Sequence, residues 1–377
     1  MIRKIIILLI ELIFIFDMGS LALTVNHAYV LRYNPGEPAC FVQFDVNKDE
    51  IVREIPKPRG KGFNNFIVDE KGGCYIADLR SGKMYGRGIY YYDPVKDKIK
   101  RFARLGKIFG PSRMVLTDKE LIVQVKGNDR TRSKSGVVFI DRETGRKTGK
   151  IFLQEDNPEL IQANINNMFF DGEKYLFLAS FYQFKVNTIE ELYEKSDTGD
   201  IYVIDVKTKK LVKIIDVDKK YKDLDGICNV DDKIYIAAAT KGKRTKAGIL
   251  QPNDELLVYS FSTGKLIKKI KITPHARSLV YDKSVGKIYV LHTNDKEHRN
   301  TIEIIDVKTD KIIGKLYLRS QLMFSVVGPG KMYMTVGPAF LRRTTTKPRL
   351  LVLDTKTDKF IKQFEGGYQG ISVNPKY

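Results

Sequence analysis

One hairpin is written seven times along this chain, and that repetition limits the folds open to it more than any other feature. The copies read FVQFDVNKDEIVREI from Phe41, IYYYDPVKDKIKRF from Ile89, VVFIDRETGRKTGKI from Val137, IYVIDVKTKKLVKII from Ile201, LLVYSFSTGKLIKKI from Leu256, IEIIDVKTDKIIGKL from Ile302 and LLVLDTKTDKFIKQF from Leu350. The polar residue that closes each first half is Asp45, Asp93, Asp141, Asp205, Ser260, Asp306 and Asp354, at spacings of 48, 48, 64, 55, 46 and 48. A period near fifty residues marks stacked sheet modules. The turn chemistry agrees. Asp or Ser accepts hydrogen bonds from backbone N–H groups two or three residues on. Four residues later stand Asp49, Asp97, Gly145, Lys209, Gly264, Asp310 and Asp358. Gly and Asp tolerate the positive φ that such a hairpin needs, and Lys209 is the least comfortable member of the set.

Two more strands precede each hairpin, as in RSLVYDKSVGKIYVLHT (277–293), DGICNVDDKIYIAAAT (225–240) and NNMFFDGEKYLFLASF (166–181). Each unit is thus a four-stranded antiparallel meander. Runs such as IYVID and IYIAAA are apolar on successive residues, hence on both faces of the strand. One meander cannot cover both faces of itself. Seven meanders standing edge-on around an axis can, so the expected fold is an all-β, seven-bladed propeller. The chain ends on YQGISVNPKY (368–377), which matches a first strand, and begins its repeats on NHAYVLRYN (26–34), which matches a second. The two ends are therefore expected to share one blade and close the ring.

The stretch TPHARSLVYDKSVGKIYVLHTNDKEHRNTIEIIDVKTDKIIGKL (273–316) resembles the YVTN-type β-propeller repeat: a Pro before the first strand, Gly-Lys, a Tyr-Val strand, then an Ile-Asp-x-x-Thr hairpin. The resemblance runs from about residue 26 to 377, and more loosely over Ile89 to Leu153. It implies a seven-bladed ring and an extracytoplasmic location. It implies no activity, since such rings serve as binding modules, scaffolds, surface-layer components and enzyme subunits.

The N-terminus agrees with export. MIRK is basic, IIILLIELIFIF (5–16) is an apolar run of 12 residues, and Ser20 and Ala22 stand where signal peptidase needs small residues. Residues 1–22 are read as a signal peptide, or else as an uncleaved anchor and the chain's one membrane contact, and residues 23–377 as a single propeller domain, secreted, periplasmic or on the cell surface. No cysteine follows the apolar run, which argues against a lipid-anchored lipoprotein. Cys40, Cys74 and Cys228 lie far apart in apolar runs, without metal or redox spacing, and are read as small buried hydrophobes.

The formal charge of +20, from 65 Lys and Arg against 45 Asp and Glu, favours acidic partners. Removing residues 1–22 takes away Arg3, Lys4, Glu11 and Asp17, which cancel. The surplus collects in the segments joining second to third strands: Lys126, Arg130, Arg132 and Lys134; Lys241, Lys243, Arg244 and Lys246; Arg342, Arg343, Lys347 and Arg349; and Arg80, Lys83 and Arg87. A propeller brings these onto one rim, where Arg130, Arg132, Lys243, Arg244, Arg342 and Arg343 are expected to hold an anion. Charge runs are also what solvated loops look like, so this expectation rests on their convergence. An anionic glycan, a cell-wall polymer or an acidic protein fits best. Nucleic acid is not expected, because the loops lack interleaved aromatic platforms.

The residues leading into the innermost strands are expected to ring the channel mouth as a ligand site: Asn65, Arg113, Asn167, Asp225, Arg277, Gln321 and Gln369, with His275 beside them. Channel mouths are polar simply because water fills them, yet two arginines there also suit a carboxylate or phosphate. His275 and His292 could face the same mouth, but no acidic ring accompanies them and no metal is expected. Thr188 and Glu191 form a capping box that predicts a short helix over 189–195. No G-x-S-x-G, H-E-x-x-H or phosphate-cradling motif occurs. The reading is a monomeric, non-catalytic binding or scaffold propeller without a cofactor. The alternative is a propeller subunit of a quinone-linked dehydrogenase, or a lyase acting at the channel mouth. Against the former, the chain has no tryptophan with which to build a quinoprotein docking motif.

Overall fold

The computed structural model describes residues 27–32, 39–56, 63–78, 88–105, 110–126, 135–153, 160–184, 188, 198–242, 251–292, 301–318, 321–328, 330–337 and 349–373. The expected leader and the expected helix over 189–195 lie outside them; Tyr175–Phe184 is strand throughout.

Seven antiparallel sheets form around an axis. Blade I joins Tyr368–Val373 to His27–Arg32, Cys40–Asp45 and Glu50–Pro56, so the two ends of the chain do close the ring. Blade II holds Phe63–Val68, Cys74–Asp78, Gly88–Asp93 and Lys98–Arg104. Blade III holds Gly110–Leu116, Glu120–Lys126, Gly136–Asp141 and Lys147–Phe152. Blade IV holds Leu160–Phe170, Tyr175–Phe184, Ile201–Asp205 and Lys210–Ile215. Blade V holds Tyr221–Val230, Lys233–Lys241, Glu255–Ser260 and Leu266–Lys271, and Gln251–Pro252 pairs onto its second strand. Blade VI holds Ala276–Asp282, Lys287–His292, Thr301–Asp306 and Lys311–Tyr317; blade VII holds Gln321–Gly328, Lys331–Gly337, Arg349–Asp354 and Lys359–Glu365. The first strand of every blade touches the first strands of both neighbours, which defines the channel wall.

Burial follows the logic of the sequence. Ile201–Asp205 and Cys74–Asp78 are buried at every residue, whereas the outer strand Lys359–Glu365 is exposed along nearly its whole length. Seven apolar clusters fill the seven gaps between blades; Phe177, Ile201, Leu224 and Ile236, for example, pack between blades IV and V. The three cysteines are free and buried, as read from sequence. Outer edges carry exposed apolar pairs such as Ile267 beside Leu266 and Ile313 beside Ile312. Lysines interrupt these edges, as in LIKKIK, a device that discourages edge-to-edge pairing.

The hairpin turns form as their residues require. Asp45, Asp205 and Asp354 each accept two backbone N–H bonds through Oδ1 at 2.8–3.2 Å, and Ser260 Oγ accepts one from Thr263 at 3.1 Å. All seven residues at the fourth position after these have positive φ, from 49° to 72°.

Three of those turn aspartates also bind the neighbouring blade. Asp310 accepts from Lys233 at 2.9 Å and from Tyr235 at 2.6 Å. Asp358 accepts from Lys287 at 2.7 Å and Tyr289 at 2.9 Å, and Asp49 from Lys331 at 2.6 Å and Tyr333 at 3.2 Å. A Lys-x-Tyr at the start of a second strand thus grips the next blade's turn, and these clamps run V to VI, VI to VII and VII to I. Burial by itself raises the Asp310 carboxyl, but the Tyr235 and Lys233 contacts outweigh it and leave the group below its usual range. The uncomfortable Lys209 is explained here. It occupies the position of Asp310, and Glu120 that of Lys233; their ion pair at 2.6 Å is the same clamp between blades III and IV with the charges exchanged.

This exchange predicts a rescue. Lys209→Asp alone sets two carboxylates together and is expected to cost about 1–3 kcal/mol; Glu120→Lys added to it restores most of that loss, measured by denaturant unfolding as a double-mutant cycle. Additive losses would show that the pair is incidental. Asp358→Ala, which strands Lys287 and Tyr289, is expected to cost about 2–3 kcal/mol in the same assay.

Candidate functional site

Each innermost strand carries a β-bulge near its start. The register against the second strand slips at Asn64, at Ser112–Arg113, and at Asn166, Asp225, Arg277, Met323 and Gly370. A bulge adds one unpaired residue and sharpens the local bend, which lets seven strands converge on an axis. At Gly370 the backbone takes φ 69°, so glycine suits the position.

The bulges divide the residues of the expected ring. Arg113, Asp225 and Arg277 occupy bulges. Asn65 pairs with Ala77 and Asn167 with Ala179, inside the ladder; their bulge positions are the preceding Asn64 and Asn166. Asn167 is buried, its Oδ1 accepting from Met168 N–H at 2.8 Å and its Nδ2 donating to the Asp225 carbonyl at 2.6 Å. Gln321 and Gln369 pair with Gly337 and Leu31, leaving Met323 and Gly370 as the unpaired residues. His275 lies just outside its strand at φ 64°, its N–H donating to the Asn253 carbonyl. The other rim arginines and lysines, Arg130, Arg132, Lys243, Arg244, Arg342 and Arg343, lie outside the described residues.

What the bulges do bring together is one polar cluster. Arg277 Nη1 donates to Asp225 Oδ2 at 2.5 Å, and Asn166 Nδ2 reaches Asp225 Oδ1 at 3.3 Å. Gly226 makes this possible. A Cβ there would stand 3.0 Å from Leu279 Cγ, so its absence lets blades V and VI approach. Burial raises the Asp225 carboxyl to about 6; Asp223 pushes in the same direction, while Arg277 and Arg113 oppose it. Arg113 keeps an exposed surface, yet desolvation lowers its guanidinium, so that surface faces the enclosed channel rather than bulk water. No hydrogen bond or ion pair to Arg113 occurs among the described residues. Arg277 Nε and Ser112 Oγ are buried without a partner.

His292 does not face a mouth. It is fully buried in blade VI, its Nδ1 on the Pro274 carbonyl at 2.9 Å and its Nε2 3.4 Å from Glu303. Burial opposes ionisation of Glu303, but His292 and two bonds from Thr273, at 2.9 and 2.7 Å, prevail and bring the carboxyl from 4.5 down to about 2. No group of three or more potential metal ligands occurs among the described residues.

The opposite face holds a bowl of about 910 Å³ that sequence reasoning missed. Its floor is Ile67, Val115, Met168, Phe169 and Phe170, where three innermost strands end, and its rim mixes five carboxylates with four cations. Glu70–Arg142 and Glu120–Lys209 neutralise each other there at 2.6 Å. The mixed signs match the turn sequences of that face and direct no particular ligand charge.

No family model and no curated protein matches the chain. Among solved structures, it is similar to a hypothetical selenium-binding protein from Sulfolobus tokodaii, with a TM-score of 0.66 at 12% identity over 95% of each chain. It is also similar to the dihydro-heme d1 dehydrogenase NirN, with a TM-score of 0.55 at 12% identity over 93% of this chain and 75% of that one. The Saccharomyces cerevisiae protein Sqt1 has a TM-score of 0.54 at 9% identity over 91% and 86%. At these identities the likeness shows the propeller fold alone.

The Glu303 carboxyl predicts an acid transition. Its folded value lies below its unfolded one, so its contribution is complete above about pH 4.5 and fades as pH falls towards about 2. Glu303→Gln is expected to flatten the stability-against-pH curve in that window, read by urea unfolding at stepped pH. An unchanged slope would show that Glu303 is not a main source of acid lability.

Proposed function

We propose that the protein is a non-catalytic binding propeller whose basic face takes an anionic glycan, a cell-wall polymer or an acidic protein. One observation carries this reading. Second strands end and third strands begin on the face where the innermost strands start, so the segments bearing the basic clusters all join strand ends there: Lys126 to Gly136, Gly242 to Gln251, and Gly337 to Arg349. Lys126 and Arg349 are themselves strand termini at those junctions. Inside the same end of the ring lie Arg113 and Arg277. Cations gathered on one rim from distant parts of a sequence create a field of one sign, which attracts polyanions and weakens with salt. The basic, apolar N-terminal segment supports a site of action outside the cytoplasm.

Binding to immobilised heparin is the test. Affinity should fall steeply between about 50 mM and about 500 mM salt. Charge reversal at Lys243, Arg244, Arg342 and Arg343 together should weaken it at least about tenfold while leaving the melting temperature unchanged. Salt-insensitive binding, or none in the wild type, would overturn the reading.

A further inference from the structure

The channel cluster has features that a passive, water-filled wall does not require. Three bulges from blades III, V and VI place Arg113, Asp225 and Arg277 near the start of the innermost strands, at the same end of the channel wall, and Asn166 reaches Asp225 from blade IV. Arg277 is held by Asp225, whereas Arg113 has a charge and an exposed surface with no hydrogen bond or ion pair among the described residues. Both arginines act electrostatically on the Asp225 carboxylate. Asp225 is committed to Arg277 and Asp223 accepts from Thr240, so the Arg113 guanidinium keeps no direct partner among the described residues, and a charge without a partner is costly in a low-dielectric enclosure. Planar guanidinium forks match the oxygens of carboxylates and of tetrahedral oxyanions.

We propose that the channel is a binding site for a small oxyanion, held between Arg113 and Arg277, and that this anion displaces Asp225 from Arg277, so that binding takes up a proton at Asp225. Asp225 is then an internal competitor for the cation that the ligand needs. The groups facing it are Arg277 from blade VI, Arg113 from blade III, Asn166 from blade IV, and Asp223 on its own strand, which accepts from Thr240 at 3.2 Å. The adjoining strand Tyr175–Phe184 carries no charged residue, and the lysines ending Lys233–Lys241 are tied to Asp310 and Asp254. The sign follows. Protonating Asp225 adds one positive charge to the cluster and frees Arg277, so oxyanions bind more tightly as pH falls through about 6. This site uses none of the rim segments and stands whether or not the rim binds a polymer.

Titration calorimetry with sulfate and with oxalate tests it, since neither probe changes charge appreciably between about pH 5.5 and about pH 8. The two probes separate a tetrahedral from a carboxylate preference. At least one should bind about tenfold more tightly at the lower pH. Near pH 6 its heat should depend on the buffer's ionisation enthalpy, which reports proton uptake. Asp225→Asn should bind with little pH dependence and without proton uptake, and Arg113→Gln should lose about tenfold in affinity or more at either pH. The rim charge-reversal variant should retain sulfate or oxalate binding even where heparin binding is lost. Binding of both probes that is absent at millimolar concentration, or equally pH-dependent in wild type and Asp225→Asn, would overturn the proposal. Matching melting temperatures and far-ultraviolet spectra secure that each variant is folded.

Discussion

Everything in this molecule depends on sheets that must be covered on two sides. The second and third strands of each blade are apolar at consecutive residues, and only another blade can shield such a surface from water. Closure follows from that demand, because an open stack would leave two apolar faces bare. The C-terminal strand Tyr368–Val373 completes blade I by pairing with His27–Arg32, and the Ser372 hydroxyl accepts from Val68 N–H at 3.1 Å in blade II. Sequence ends separated by the whole chain thereby become one sheet, and the seventh apolar gap is filled like the other six.

Polar contacts refine this arrangement without driving it. The Lys-x-Tyr clamps join blades V, VI, VII and I through aspartates already committed to positive φ in their turns. One residue therefore shapes a hairpin and fixes the angle at which the next blade stands. Blades III and IV reach the same end with Glu120 and Lys209 in exchanged roles. The position tolerates either sign, provided its partner is opposite, because what matters there is a half-buried ion pair between neighbouring blades.

How far the sequence revealed all this differs from residue to residue. The seven hairpins, their Asx turns and the shared blade were legible because local hydrogen-bond chemistry and runs of consecutive apolar residues both leave marks in the order of residues. Arg113, Asp225 and Arg277, read as leading into the innermost strands, occupy the bulges of their blades. Asn65 and Asn167 stand one residue past the bulges of their blades, since a bulge is an extra residue that no repeat pattern announces. His292 looked like a mouth residue and proved to be fully buried beside Glu303, a residue inside an apolar-looking strand. The bowl beneath the ring, lined by residues from blades II, III and IV, had no sequence signal because only the ring's curvature assembles it.

The bulges also separate two tasks that most strands must combine. A ladder residue is bound by its partner across the sheet and by the blade packed above it, so its identity is constrained twice. The seven slipped positions hold residues as unlike as asparagine, arginine, aspartate, methionine and glycine within otherwise similar blades. Apart from Gly370, whose positive φ favours glycine, those points can change residue without breaking a ladder pair. A ring of this kind can change what its interior attracts, one position at a time, while the scaffold that presents those positions stays the same.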